Sequence, residues 1–120
     1  MSVLGIGTDI VSVARITRML DRHGERFLAR CFRPGEIILS APASVAGRWA
    51  AKEAFLKALG ADVRGIPYRS IEVVKSTHGP VKLVLHGRAS DALAAVGADG
   101  IHLTISHERE FAVATVIIEG

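Results

Sequence analysis

Aromatic residues are scarce in this 120-residue chain: four Phe, one Trp and one Tyr. A core must therefore come from Val, Ile, Leu and Ala, and contacts between subunits are expected to supplement so thin an interior. Cys31 is the only cysteine, which excludes an intramolecular disulfide, and no Cys/His spacing suits a zinc site. No apolar run approaches the ~20 residues needed to cross a bilayer. The opening MSVLGIGTDI has neither the basic start nor the apolar stretch of a secretory signal, so cytoplasmic residence without a membrane partner is the expectation. Dense basic clusters with interleaved aromatics are also missing. Fifteen Lys and Arg against twelve Asp and Glu leave a formal charge of +3, spread thinly, which argues against nucleic acid and suits an anionic small molecule or an acidic protein. Gly5-Ile6-Gly7 is not a G-x-G-x-x-G ahead of a helix, and there is no Walker sequence, so neither common nucleotide-binding fold is indicated.

What is present is ordinary globular composition, 49% apolar and 22% charged, at a length that fits one domain spanning 1–120. VLGIGTDIVSV alternates as a strand does: Leu4, Ile6, Thr8 and Ile10 on one face, Gly5, Gly7, Asp9, Val11 and Val13 on the other. From Val13 the period becomes helical, with Ile16, Met19, Leu20, Phe27 and Leu28 as the apolar set. Arg15, Arg18, Arg22 and Arg26 form a basic stripe opposite them. A turn at Arg33-Pro34-Gly35 precedes a short helix from about Glu36. Ser44 is the expected N-cap of a helix ending at Leu59, closed by Gly60. Residues 61–68 read as loop. Strands are expected at Ser70–Lys75, Pro80–His86, Ile101–Ser106 and Phe111–Ile118, with a helix at Ala89–Val96. The pattern predicts an α+β fold with a mostly antiparallel sheet packed against helices.

Two positions stand out chemically. Asp9 lies in a strand among apolar and glycine residues, where a charge is costly unless it is paired or bound to a metal; otherwise it caps the next helix. In RWAAKEAFLKALG, 48–60, the residues Ala50, Ala51, Ala54, Phe55, Ala58 and Leu59 make an apolar stripe. There Glu53 and Lys57 are either an i,i+4 salt bridge on a surface helix or part of a phosphate site. In the second case Arg48, Lys52 and Lys57 face a polyphosphate and Glu53 holds the metal that neutralises it. Mg²⁺ suits that case, because it takes one or two carboxylates and lets substrate phosphates fill its shell. Asp9 and Glu53 supply two. Ser106-His107-Glu108-Arg109 leaves an apolar strand on a connection open to solvent, a common place for ligand contacts.

These segments together resemble the holo-acyl-carrier-protein synthases, the small phosphopantetheinyl transferases of bacterial fatty-acid synthesis. GIGTDIVSVARI is similar to the family's N-terminal motif, RWAAKEAFLKALG to its second, and LTISHEREFAVATVI to its closing strand pair. HGPVKLVLHGRA fits between them. The loop GADVRGIPYRS departs from the family pattern, with Tyr68-Arg69-Ser70 ahead of Ile71-Glu72-Val73. The resemblance implies transfer of 4′-phosphopantetheine from coenzyme A to a serine of apo acyl carrier protein. Adenosine 3′,5′-bisphosphate would leave. Asp9 and Glu53 would hold Mg²⁺, and Lys57 would sit at the phosphates. Arg48, Lys52, Ser106 and His107 would line the coenzyme site, and Arg15, Arg18 and Arg22 would contact the carrier protein. Glu53, acting through a water, would accept the proton ahead of Glu108. A homotrimer with active sites at subunit boundaries is also implied. The rival reading is a non-catalytic basic adaptor that docks an acidic carrier-type protein through Arg15, Arg18 and Arg22.

Overall fold

A computed structural model describes residues 1–37, 41–60, 63–75 and 77–120. The chain runs β1 (Val3–Ser12), α1 (Val13–His23), α2 (Glu25–Cys31), α3 (Pro42–Leu59), a 3₁₀ turn (Tyr68–Ser70), β2 (Ile71–Lys75), β3 (Val81–Leu85), α4 (Gly87–Ala95), β4 (Gly100–His107) and β5 (Phe111–Glu119). The fold is α+β and every strand pair is antiparallel. The strands form two ladders, β1-β5-β4 and β2-β3, where the sequence pattern suggests one sheet.

Register explains the layering. Gly7 pairs with Val116, Asp9 with Ala114 and Val11 with Ala112, while Leu103 and Ile105 pair with Val116 and Ala114. Because side chains alternate along a strand, these residues share the face that packs on α3. Helix α3 answers with Ala50, Ala51, Ala54, Phe55 and Ala58, all buried, so the expected apolar stripe is the one that enters the core. Small residues on both sides let the helix backbone lie against the strand. A Cβ on Gly5 would overlap the carbonyl of Ala58, and one on Gly7 would overlap the carbonyl of Ala54.

The opposite sheet face has no such cover. Leu4, Ile6, Ile10 and Phe111 are exposed, Ile6 and Ile10 by more than three-fifths, and Thr8 and Thr115 meet across the strands at 3.1 Å.

Several expected boundaries move. The helical run from Val13 divides at Gly24, whose φ of 48° no branched side chain adopts readily. Helix α3 begins two residues before Ser44, with Pro42 in its first turn and Ala41 as N-cap; Ser44 instead accepts from Arg48 Nη1 at 2.8 Å. Glu36 lies in a turn rather than opening a helix. The remainder of that expected helix, 38–40, and the start of the expected loop, 61–62, lie outside the described residues. Gly60 closes α3 in the left-handed conformation. Among the described residues, no helix is long and apolar enough to cross a membrane.

Candidate active site

Asp9 is carried to its place by β1, in the row that contains Gly5 and Gly7 and faces α3. It does not cap α1: Ser12 does, accepting from the amide of Arg15 at 3.2 Å. Asp9 Oδ1 accepts instead from Lys57 Nζ at 3.0 Å, and Lys57 Nζ also donates to the carbonyl of Thr8 at 3.1 Å. The carboxylate is mostly covered, while about half of the Lys57 side chain is open to solvent. Glu53 lies one helical turn before Lys57 on α3, and its Oε1 accepts from the hydroxyl of Tyr68. Lys57 therefore joins Asp9 to the helix that carries Glu53, so neither residue is spent on the plain surface salt bridge that their spacing allows.

Tyr68 is the member of this group that the sequence pattern leaves unassigned. Its ring stacks on Trp49 with centroids 5.0 Å apart, and Trp49 in turn lies 5.4 Å from Phe27. Burial, and then the Glu53 carboxylate and the charge of Asp9, push the phenol above its ordinary value. Its proton stays on at neutral pH, so the hydroxyl is a donor toward Glu53.

Lys52 is corrected. The expectation places it toward a ligand's phosphates, but its side chain is fully buried and its ammonium is paired with Glu36 Oε2 at 2.8 Å, itself fully buried. The same ammonium donates to the carbonyl of Tyr68 at 2.9 Å and to that of Ile71, and lies 4.9 Å from the ring centre of Phe32. Glu36 completes its bonding with the amides of Arg33 at 2.9 Å and Val73 at 3.0 Å. Burial pulls the Lys52 ammonium below its ordinary value, and Glu36 opposes that shift. The pair joins α3, the 33–36 turn, the 3₁₀ turn and β2; it is structural because no face of Lys52 reaches solvent.

Arg48 and His107 meet elsewhere. With Ser44, Gly47, Lys75 and Ile105 they line a cavity of about 210 Å³, which none of Asp9, Glu53 and Lys57 lines. Two cationic side chains and an imidazole around a small hollow suit a phosphate. Ser106 is separated from His107, since it pairs with Val113 on the open face of the sheet. Arg15, Arg18 and Arg22 are exposed along α1. Beside them a cavity of about 730 Å³ is bounded by Met19, His23, Arg26, Phe27, Arg30 and Trp49, and by the ring of Tyr68. Its lining joins apolar and aromatic side chains to Arg26, Arg30 and His23, and it shares Tyr68 with Glu53.

Two carboxylates are a hard-cation donor set. Among the described residues no group of three or more His, Cys, Asp or Glu forms a self-sufficient metal cage. A cation here would need oxygens from a substrate to fill its shell, as Mg²⁺ does at phosphate sites.

Comparison with known proteins gives the family. Residues 5–116 match the sequence profile described as the 4′-phosphopantetheinyl transferase superfamily. The holo-acyl-carrier-protein synthase of Gloeobacter violaceus is 46% identical over 121 residues, covering 96% of this chain and 92% of that one. The crystal structure of the Neisseria meningitidis holo-acyl-carrier-protein synthase superposes with a TM-score of 0.88 at 34% identity, covering 99% of this chain and 100% of that one. The Helicobacter pylori synthase in complex with coenzyme A superposes with a TM-score of 0.83 at 32% identity, covering 95% and 99%.

Proposed function

The chain belongs to the 4′-phosphopantetheinyl transferase superfamily, and from that premise we propose that Asp9 and Glu53 hold a Mg²⁺ ion for the reaction. The enzyme transfers 4′-phosphopantetheine from coenzyme A to a serine of apo acyl carrier protein. The observation that carries the site assignment is the meeting of Asp9 from β1 with Lys57, one turn beyond Glu53 on α3.

The serine oxygen attacks the β-phosphorus of coenzyme A, the P–O bond to the bridging oxygen breaks, and adenosine 3′,5′-bisphosphate departs. Such transfers depend chiefly on positioning and on neutralising phosphate charge. When bound, the cation supplies that neutralisation and polarises the phosphate oxygens. Lys57 adds a half-exposed positive charge beside Asp9. Glu53 takes up the serine proton by way of a water, with Glu108 as the alternative acceptor. Arg48 and His107 hold the coenzyme's phosphates, with Lys75 as a third cationic side chain at their cavity. Ser106 enters the coenzyme site only across a subunit boundary.

We read residues 1–120 as one transferase domain, cytoplasmic and acting in fatty-acid biosynthesis, and as a homotrimer. The uncovered face bearing Leu4, Ile6, Ile10 and Phe111 supports assembly, because apolar patches of this kind mark contact surfaces. The separation of the Arg48–His107 cavity from the Asp9–Glu53 group supports active sites shared between neighbouring chains. The stripe Arg15, Arg18 and Arg22 supports docking of an acidic carrier protein. That stripe would serve the adaptor reading equally; the mostly covered carboxylate of Asp9 beside Lys57 favours the enzyme, since docking has no use for it.

The test is incubation with apo carrier protein, coenzyme A and Mg²⁺, followed by intact-protein mass spectrometry. A gain of one phosphopantetheine that is abolished by chelation and by Asp9→Ala or Glu53→Ala is expected. Near-normal turnover of either variant at low Mg²⁺ refutes the metal assignment.

A further inference from the structure

Tyr68 connects the buried ion pair to the metal carboxylates. Its carbonyl is held by Lys52, whose ammonium is fixed by Glu36. Its ring is pinned by Trp49, and its one hydroxyl proton goes to Glu53 Oε1. A glutamate on the outer part of a helix has three side-chain torsions, and an unrestrained carboxylate loses that freedom only when a cation arrives. Here the hydroxyl restrains it beforehand. With Oε1 engaged, Oε2 is the oxygen left for a cation, which matches the one-oxygen carboxylate binding that octahedral Mg²⁺ favours. Asp9 is held by β1 and by Lys57, while the 3₁₀ turn that carries Tyr68 is held by the Lys52–Glu36 pair.

We infer that the Tyr68 hydroxyl is a positioning group for Glu53, orienting its carboxylate so that Oε2 is presented to the divalent cation. This rests on the assignment of Glu53 as a metal ligand. Hydrogen-bond donors behind a metal ligand commonly set its affinity by about 10–100-fold. A ring serving only to pack would leave cation binding indifferent to the loss of one oxygen atom.

Tyr68→Phe isolates the point, because it keeps the ring on Trp49 and the carbonyl on Lys52. Mn²⁺ binding is measured by the loss of its free electron paramagnetic resonance signal, with enzyme and coenzyme A present and carrier protein absent. The half-saturating Mg²⁺ concentration of the transfer reaction is measured beside it, with Glu53→Gln in parallel. For Tyr68→Phe, Mn²⁺ affinity should fall and half-saturating Mg²⁺ should rise by about 10–100-fold, with a far smaller loss of kcat at saturating Mg²⁺. A variant that loses kcat but keeps wild-type cation dependence overturns the inference, provided Glu53→Gln has lost Mn²⁺. If Glu53→Gln binds Mn²⁺ as wild type does, the metal assignment itself falls and takes the inference with it.

Discussion

Replacing Gly7 by Ala should cost both stability and turnover, because the added carbon has nowhere to go. Gly7 is not among the glycines with positive φ, so backbone conformation would tolerate alanine. Space would not. A Cβ there lies 2.6 Å from the amide nitrogen of Ala58 and overlaps the carbonyl oxygen of Ala54. Carbon contacts are comfortable near 3.5–4.0 Å, so β1 and α3 must part by about an ångström. The obstacle is helix backbone, which cannot rotate aside. Overpacking of this kind costs roughly 1–3 kcal/mol, and for a domain of this length each kcal/mol lowers Tm by about 4 °C. A fall of about 4–12 °C follows. The catalytic consequence is separate. Asp9 lies two residues along β1 while Glu53 and Lys57 are on α3, so parting the two elements pulls the site open; displacements near 1 Å can cost about 100-fold in rate. Thermal unfolding and kcat/KM for carrier-protein modification measure the two effects. Gly47→Ala gives a graded comparison, since its Cβ would meet one side-chain methyl, Cγ2 of Ile105 at 2.9 Å, rather than helix backbone, and should cost less on both counts. Wild-type Tm and turnover in Gly7→Ala would refute the close-packing account of β1 on α3.

Three further outcomes follow from the same structure. Glu36→Gln leaves the Lys52 ammonium buried without its counter-charge and should lower unfolding free energy in urea by about 3–5 kcal/mol; a loss below 1 kcal/mol would mean the pair is solvated. Tyr68 is the only tyrosine, so its ionisation can be followed by phenolate absorbance in metal-free enzyme. Its midpoint should lie above the ordinary value of 10.0, owing first to burial and then to Glu53, and Glu53→Gln should lower it without restoring that value. The raised folded value means the unfolded chain releases its proton first, so this contribution to stability is intact below pH 10 and declines as pH rises beyond it. Ile6→Glu places a charge on the open sheet face and should convert the proposed trimer to monomers by light scattering, with an unchanged mass contradicting assembly through that face.

Much of the site is legible in the residues because it sits on regular elements. Asp9 is conspicuous as a lone acid in an apolar strand, and the alanine stripe of α3 announces its buried side, which places Glu53 at that side's margin. The misreading of Lys52 has a physical cause. Spacing puts it four residues after Arg48, on one flank of α3, and lysine is seldom fully buried. What turns it inward is Glu36, sixteen residues away in a turn whose bonding no local pattern predicts. The place of Tyr68 is illegible for the same reason: it depends on Lys52 holding a carbonyl in an irregular segment. At Gly24 the apolar period continues unbroken, so α1 and α2 read as one helix in the sequence.

The two faces of β1 show why composition alone misleads about the interior. The row Leu4, Ile6, Thr8 and Ile10 is the more apolar, and a burial rule would turn it to the core. The structure turns it outward and sets Gly5, Gly7 and Asp9 against α3, with Gly7 buried. Closeness decides between the two arrangements: only the glycine row lets the helix approach near enough for Asp9 to reach Lys57 at 3.0 Å. A strand with branched residues facing α3 would hold the helix further off, as side chains do when helices pack at 8–10 Å, and would separate the two halves of the site. The apolar row is then left on the open face, so close approach of α3 to one side of β1 and an exposed apolar row on the other are consequences of a single register.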